Sequence, residues 1–142
     1  MTTIAYRDGV LAADTLTMSD GVRSGAMTKI YREGRLLIGF AGRTANFEDF
    51  RAWVRSGAEG RFKSDGGNVF ILPPDGPALI WGDGDYPWRE RGDYWALGSG
   101  EHFALGAMVM GATAEEAVRA AAAWDLHTGG EVTVLRRQPA RS

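Results

Sequence analysis

Apolar residues occur along this chain in short runs, and the runs come in pairs. Residues 3–6 (TIAY) and 10–13 (VLAA) flank Arg7-Asp8-Gly9, and Asp-Gly between apolar runs is a strong hairpin signal. Residues 27–32 (MTKIYR) and 35–41 (RLLIGFA) flank Glu33-Gly34 and predict a second hairpin. Residues 68–72 (NVFIL) and 78–81 (ALIW), joined across Pro73 to Pro77, predict a third. Between the second and third pairs the period changes. Ala45, Phe47, Phe50, Trp53 and Val54 recur at helical spacing, so a helix is expected over 44–56, ended by Gly57 and Gly60. Residues 58–67 and 82–93 are polar and rich in turn formers and read as loops.

The last third has its own rhythm. Residues 94–97 read as a strand entering Gly98-Ser99-Gly100, and a helix follows over 101–110 until Gly111. Thr113 and Glu116 stand at capping-box spacing. They open an amphipathic helix through Ala117, Val118, Ala121 and Trp124, which Gly129-Gly130 stops. Residues 132–135 form a closing strand, and the polar segment 136–142 is expected to be loose. Paired strands, helix, paired strands, two helices and a strand lack the strict alternation of a parallel sheet. The pattern instead fits an α+β fold of antiparallel sheets with helices packed outside, in a single domain over 1–142.

Composition narrows the chemistry. At 142 residues the chain can bury one real core, and 44% hydrophobic with 24% charged residues is an ordinary globular balance. A net charge of -2 without a basic tract argues against a nucleic-acid partner. The absence of cysteine excludes disulfides, thiolate metal sites and a cysteine nucleophile. With two histidines, His102 and His127, a metal site is not expected, and both read as surface or capping residues. No run approaches the ~20 apolar residues of a bilayer span, and no secretory leader is legible. The expectation is a cytoplasmic protein without a membrane contact and without a cofactor.

Thr2 is the residue with the most chemical promise. It follows Met1, and a small residue there lets methionine aminopeptidase expose a threonine with a free α-amino group. Such a residue combines a hydroxyl nucleophile with a weak base, because an α-amino group titrates near ~8. A threonine at a loose terminus is the alternative. Lys29 is the only lysine before residue 63. Alternation allows it an inward position, and a buried ammonium close to Thr2 would lower the pKa of its amine and hydroxyl; a solvated strand lysine is the other reading.

Three segments, in this order and spacing, resemble the proteasome β-subunit branch of the N-terminal nucleophile hydrolases, which includes a bacterial two-component protease. The first is Thr2-Thr3-Ile4-Ala5 with Gly9 to Thr15. The second is Lys29-Ile30 with Ile38-Gly39-Phe40-Ala41-Gly42 and Thr44-Ala45. The third is Leu97-Gly98-Ser99-Gly100 with Asp125 to Gly130. The resemblance covers about residues 2–46 and 95–135. It implies a four-layer αββα sandwich of two antiparallel sheets flanked by helices. The central helical region is shortened, since one helix is legible where that family has two.

The resemblance also implies roles. Thr2 would be the nucleophile, and Asp14 would hold Lys29; Asp14 otherwise reads as a turn residue. Gly42 would supply the oxyanion N–H, a contribution of up to a few kcal/mol per donor, or it is simply a helix-entry glycine. Ser99, Asp125 and Thr128 would surround the amine. Asp125 and Thr128 otherwise belong to a helix C-terminus, where an aspartate opposes the helix dipole. Phe40 and Met27 would line a substrate pocket or fill the core, and the stretch from Asp83 to Trp88 is a surface loop or a partner contact. The implied activity is a threonine-type peptidase acting on peptides or unfolded proteins in a ring-like homo-oligomer fed by an ATPase unfoldase. A non-catalytic structural subunit of that fold and a small-molecule amidase are the alternatives.

Overall fold

The computed structural model describes residues 2–42, 46–64 and 66–138, and every strand pairing in it is antiparallel. The order is β1 (Thr3–Arg7), β2 (Val10–Ala13), β3 (Leu16–Ser19), β4 (Val22–Ala26), β5 (Ile30–Glu33), β6 (Leu36–Ala41), α1 (Phe47–Arg55), β7 (Asn68–Leu72), β8 (Ala78–Trp81), β9 (Trp88–Glu90), β10 (Tyr94–Gly98), α2 (Glu101–Val109), α3 (Ala114–Trp124) and β11 (Thr133–Arg136). One sheet runs β10-β1-β2-β11, another β5-β6-β7-β8-β9, and β3-β4 stand apart as a two-stranded ribbon.

Period-two alternation gives each large sheet two apolar faces. Ile4, Leu11, Trp95 and Leu97 of the first sheet meet Leu37, Phe70, Leu72 and Ile80 of the second in one buried cluster. The opposite face of the first sheet carries Ala5, Ala12 and Ala96, small enough for Ala104, Met108, Ala117 and Val118 of α2 and α3 to close on it. The opposite face of the second sheet offers Ile38, Phe40, Val69 and Ile71 to Phe47, Phe50 and Val54 of α1. Phe50 is fully buried and meets Phe47, Trp53, Phe62 and Trp81 ring to ring. Gly39 lets β7 and the residue just ahead of β5 crowd β6, because a Cβ there would lie 2.7 Å from both the Lys29 carbonyl oxygen and the Phe70 ring.

Turn and cap chemistry explain the ends. Asp8 and Gly9 take positive φ (52° and 80°) at the first hairpin, the primed turn that Asp-Gly favours. Thr113 Oγ1 accepts from the Glu116 N–H while the Glu116 carboxylate accepts from the Thr113 N–H, so the capping box forms as expected.

Several boundaries differ from the sequence expectation. Residues 16–26, for which no element is expected, form the β3-β4 ribbon about the Asp20-Gly21 turn. The expected loop 82–93 contains β9. The strand expected from Met27 begins at Ile30, so Lys29 sits in the connection ahead of it. Helix α1 is described from Phe47, and the expected start at Thr44-Ala45 lies outside the described residues, as does Met1. The expected loose tail does not begin at 136: Arg136 closes β11, and the Arg137 guanidinium donates to the carbonyls of Pro73 and Gly76 and to the Tyr6 hydroxyl.

Candidate active site

Two hydrogen-bonded groups converge where β1 begins, and β1 is the strand that links them. It pairs with β10 on one side and β2 on the other, so the residue before it lies beside Ser99 and the residue that opens it lies beside Asp14. Thr2 and Thr3 are both buried, at 1% and 0% exposure.

The first group is built on Asp14, which follows β2 and is fully buried. Its Oδ1 accepts from Lys29 Nζ at 2.9 Å and from the Thr3 N–H at 3.0 Å, and its Oδ2 accepts from the Gly129 N–H at 3.0 Å. Lys29 is 2% exposed, not the solvated strand lysine of the alternative reading. Burial pushes its ammonium below the ordinary lysine range, while the charge and hydrogen bond of Asp14 pull the other way, helped by the charge of Asp125. The pair is tied into the backbone around it. The Lys29 carbonyl accepts the Phe40 N–H, and the Gly129 carbonyl accepts the N–H groups of Thr15 and Leu16.

The second group is built on Asp125, which caps the C-terminus of α3 in an extended conformation and turns the chain inward. Asp125 Oδ2 accepts from Ser99 Oγ and from Thr128 Oγ1, each at 2.6 Å, and Oδ1 accepts from the His127 N–H at 3.3 Å. Burial alone would raise this carboxyl. The bonds from Ser99, Thr128 and His127 outweigh it and hold the group below the usual aspartate range. The Thr2 nitrogen lies 3.1 Å from Ser99 Oγ. The Ser99 hydroxyl has a single proton, and its contact to the carboxylate is shorter than the 3.3 Å contact to the Thr2 carbonyl. Ser99 therefore donates to Asp125 and accepts from Thr2.

Glycine makes room for this packing. A Cβ at Gly98, whose φ is +101°, would lie 2.1 Å from the Thr2 carbonyl oxygen. A Cβ at Gly100 would lie 2.0 Å from Thr3 Oγ1.

Of the residues expected from sequence, Thr2, Asp14, Lys29, Ser99, Asp125 and Thr128 fall within these two groups. Gly42 stands apart from their hydrogen bonds, just past β6 and two residues beyond Phe40. Its φ is +103°, and a Cβ would meet Gly67 Cα at 2.8 Å, so only glycine fits there. Met27 and Phe40 both pack into the apolar cluster beneath α1. Sequence reasoning passed over Thr3, whose hydroxyl lies 2.7 Å from Thr128 Oγ1. The available signal was that Thr3 shares the helix-facing side of β1 with Ala5. It also read Gly129 only as a helix stop, whereas its N–H donates to Asp14 and its carbonyl accepts at the base of the ribbon.

Among the described residues no group of three or more His, Asp or Glu is placed to hold a metal ion, and no helix is long and apolar enough to cross a membrane. A cavity of about 550 Å³ opens at the far end of β1, between Tyr6, Arg7, Trp95 and Arg137, and contains none of the candidate residues.

No protein-family model matches the chain, and no curated protein does. Among solved structures, Thiobacillus denitrificans BPH is similar at TM-score 0.68 and 22% identity, over 98% of this chain and 99% of that one. The same protein in complex with epoxomicin is similar at TM-score 0.67 and 22% identity, over 97% and 99%. Over 98% of its length the chain thus shares the fold of BPH.

Proposed function

We propose that this protein is a threonine-type peptidase of the N-terminal nucleophile class, with Thr2 as the nucleophile once Met1 has been removed. The observation that carries the reading is the hydrogen-bonded path from the Thr2 nitrogen through Ser99 and Asp125 to Thr128, beside the buried Lys29–Asp14 pair. The three apolar clusters are read as the interfaces of a four-layer αββα sandwich. A second support is that BPH, whose fold the chain shares, has been captured with epoxomicin, a proteasome inhibitor.

The proposed reaction gives each group a role, and the amine acts twice. Thr2 Oγ attacks the carbonyl carbon of a peptide bond, and the Thr2 amine takes the hydroxyl proton. The Lys29 ammonium lowers the pKa of both groups by proximity of charge, and Asp14 keeps that ammonium ionised. The backbone N–H of Gly42 stabilises the oxyanion. When the tetrahedral adduct collapses, the departing peptide amine carries the proton away and the acyl group remains as an ester on Thr2. Water, with the same amine as base, releases it. Asp125 orients Ser99 and Thr128 about the amine and offsets its positive charge. Substrates would be peptides or unfolded proteins, delivered by an ATPase unfoldase to a self-assembled ring.

The short middle, with α1 as the one helix among the described residues between β6 and β7, motivates a second reading as a non-catalytic ring subunit. One experiment separates the two. Intact mass should show the loss of Met1, and epoxomicin should add one equivalent to the processed chain but none to Thr2→Ala. Peptide hydrolysis by protein that retains Met1, or by Thr2→Ala, would refute the nucleophile.

A further inference from the structure

Thr3 is fully buried, yet it carries a hydroxyl on the face of β1 where the next outward position, Ala5, is apolar. Its surroundings fix the direction of every proton nearby. The Asp125 carboxylate can only accept, so the Thr128 hydroxyl spends its single proton on Oδ2. In the 2.7 Å contact between Thr3 Oγ1 and Thr128 Oγ1, Thr3 must therefore be the donor. The result is a forked network. Asp125 Oδ2 accepts from two hydroxyls, Ser99 and Thr128, and each of these accepts from the N-terminal strand, Ser99 from the Thr2 nitrogen and Thr128 from Thr3 Oγ1. Thr3 is held at its other end too, because its N–H donates to Asp14. The space for its hydroxyl exists only because Gly100 has no side chain.

We infer that Thr3 is a positioning residue for the nucleophile beside it: its hydroxyl orients Thr128 toward Asp125, and its two grips on Thr128 and Asp14 set the backbone that carries Thr2. A donor behind Thr128 polarises that hydroxyl, and hydrogen bonds in series strengthen one another. Without it the Thr128 proton is free to rotate away from Oδ2, and Asp125 loses part of the stabilisation of its charge. This role rests on the peptidase reading, but its electrostatic half is measurable in protein of any activity.

The test uses Thr3→Val, which removes the hydroxyl at nearly constant volume, and Thr3→Ser, which keeps it. In full-length protein labelled with ¹³C, the side-chain carboxyl of Asp125 is titrated by NMR. The midpoint should move upward in Thr3→Val and return in Thr3→Ser. With processed protein, epoxomicin labelling of Thr3→Val at neutral pH should be about threefold to tenfold slower, with its acid limb displaced to higher pH and Thr3→Ser near the parent rate. An Asp125 midpoint unchanged in a folded Thr3→Val protein would overturn the inference, as would equal loss in the serine and valine variants. Failure of the parent chain to label at all would instead refute the peptidase reading and leave the Asp125 titration to decide the role of Thr3.

Discussion

The ion pair of Asp14 and Lys29 invites a quantitative test, because both side chains are almost without solvent, at 1% and 2% exposure. Replacing Asp14 by asparagine keeps the shape and removes the charge. The amide has one oxygen where the carboxylate had two acceptors. Either the Gly129 N–H, or the pair formed by Lys29 Nζ and the Thr3 N–H, then faces an NH₂ group. Breaking a buried pair from one side costs about 3–5 kcal/mol, and an orphaned backbone donor costs about 1–3 kcal/mol, partly overlapping. Asp14→Asn should therefore cost about 4 kcal/mol or more, a large share of the roughly 5–15 kcal/mol of a typical domain. Lys29→Met should cost about 3 kcal/mol, since a carboxylate is left with two backbone donors but no cation. The double variant leaves no lone charge and should cost no more than Asp14→Asn alone, a coupling of about 3 kcal/mol. Urea unfolding read at constant m supplies all four corners of the cycle. The asparagine variant carries a second signature. Its unpaired Lys29, already pushed down by burial in the parent, binds its proton less well folded than unfolded. Stability must then rise with pH from the folded pKa of Lys29 up to its unfolded value near 10.4. Costs that add within about 0.5 kcal/mol would refute a coupled buried pair.

Other consequences are simpler to check. Gly98→Ala places a methyl 2.1 Å from the Thr2 carbonyl at a positive φ; it should lower stability by more than about 2 kcal/mol and abolish epoxomicin labelling where folded protein remains. Thr113→Ala removes one arm of the capping box and should cost about 1 kcal/mol in urea, with labelling unchanged. Phe50→Ala empties a fully buried ring site and should cost about 3–5 kcal/mol. Glu33 is held below the usual glutamate range mainly by its hydrogen bond from Arg55, with Arg51 adding to it. That contribution is present above the unfolded pKa of about 4.3 and is lost as pH falls through the folded one. The stability gap between parent and Glu33→Gln should close on acidification, and because Arg55 is largely exposed it should not exceed about 1 kcal/mol at neutral pH.

Legibility in the sequence followed burial. Runs such as residues 10–13, 35–41 and 68–72 announce themselves because both faces of their strands are covered, and the Thr113 capping box is local chemistry. The β3-β4 ribbon escaped because it owes little to a core. All five residues of β4 are exposed, and only Asp20-Gly21 betrayed the turn. Strand β9 is three residues long, with Trp88 its one apolar side chain. Lys29 was legible as a candidate for burial, but its place ahead of β5, where its carbonyl meets Phe40, was not, since alternation alone extends the strand through it. At the site, Thr2 and Lys29 could be nominated from the residues themselves, Asp14, Gly42, Ser99, Asp125 and Thr128 only through the resemblance, and Thr3 not at all. That Ser99 and Thr128 share one oxygen of Asp125, and that Thr3 stands behind Thr128, depends on how α3 ends and on a missing side chain at Gly100. No periodicity encodes either.

The placement of β1 has a consequence in time as well as space. Its hairpin partner β2 is made within moments of it, but its other neighbour, β10, lies about ninety residues on, and the loop that supplies Asp125, Thr128 and Gly129 comes later still. Closing such distances is the slow, entropically costly part of folding. A chain emerging from the ribosome thus carries Thr2 without the groups that surround it in the folded protein until Gly129 has been made. The hydrogen-bonded groups around Thr2 and Thr3 form only when residues 98–100 and 125–129 meet β1 and Asp14, so a half-folded copy lacks them.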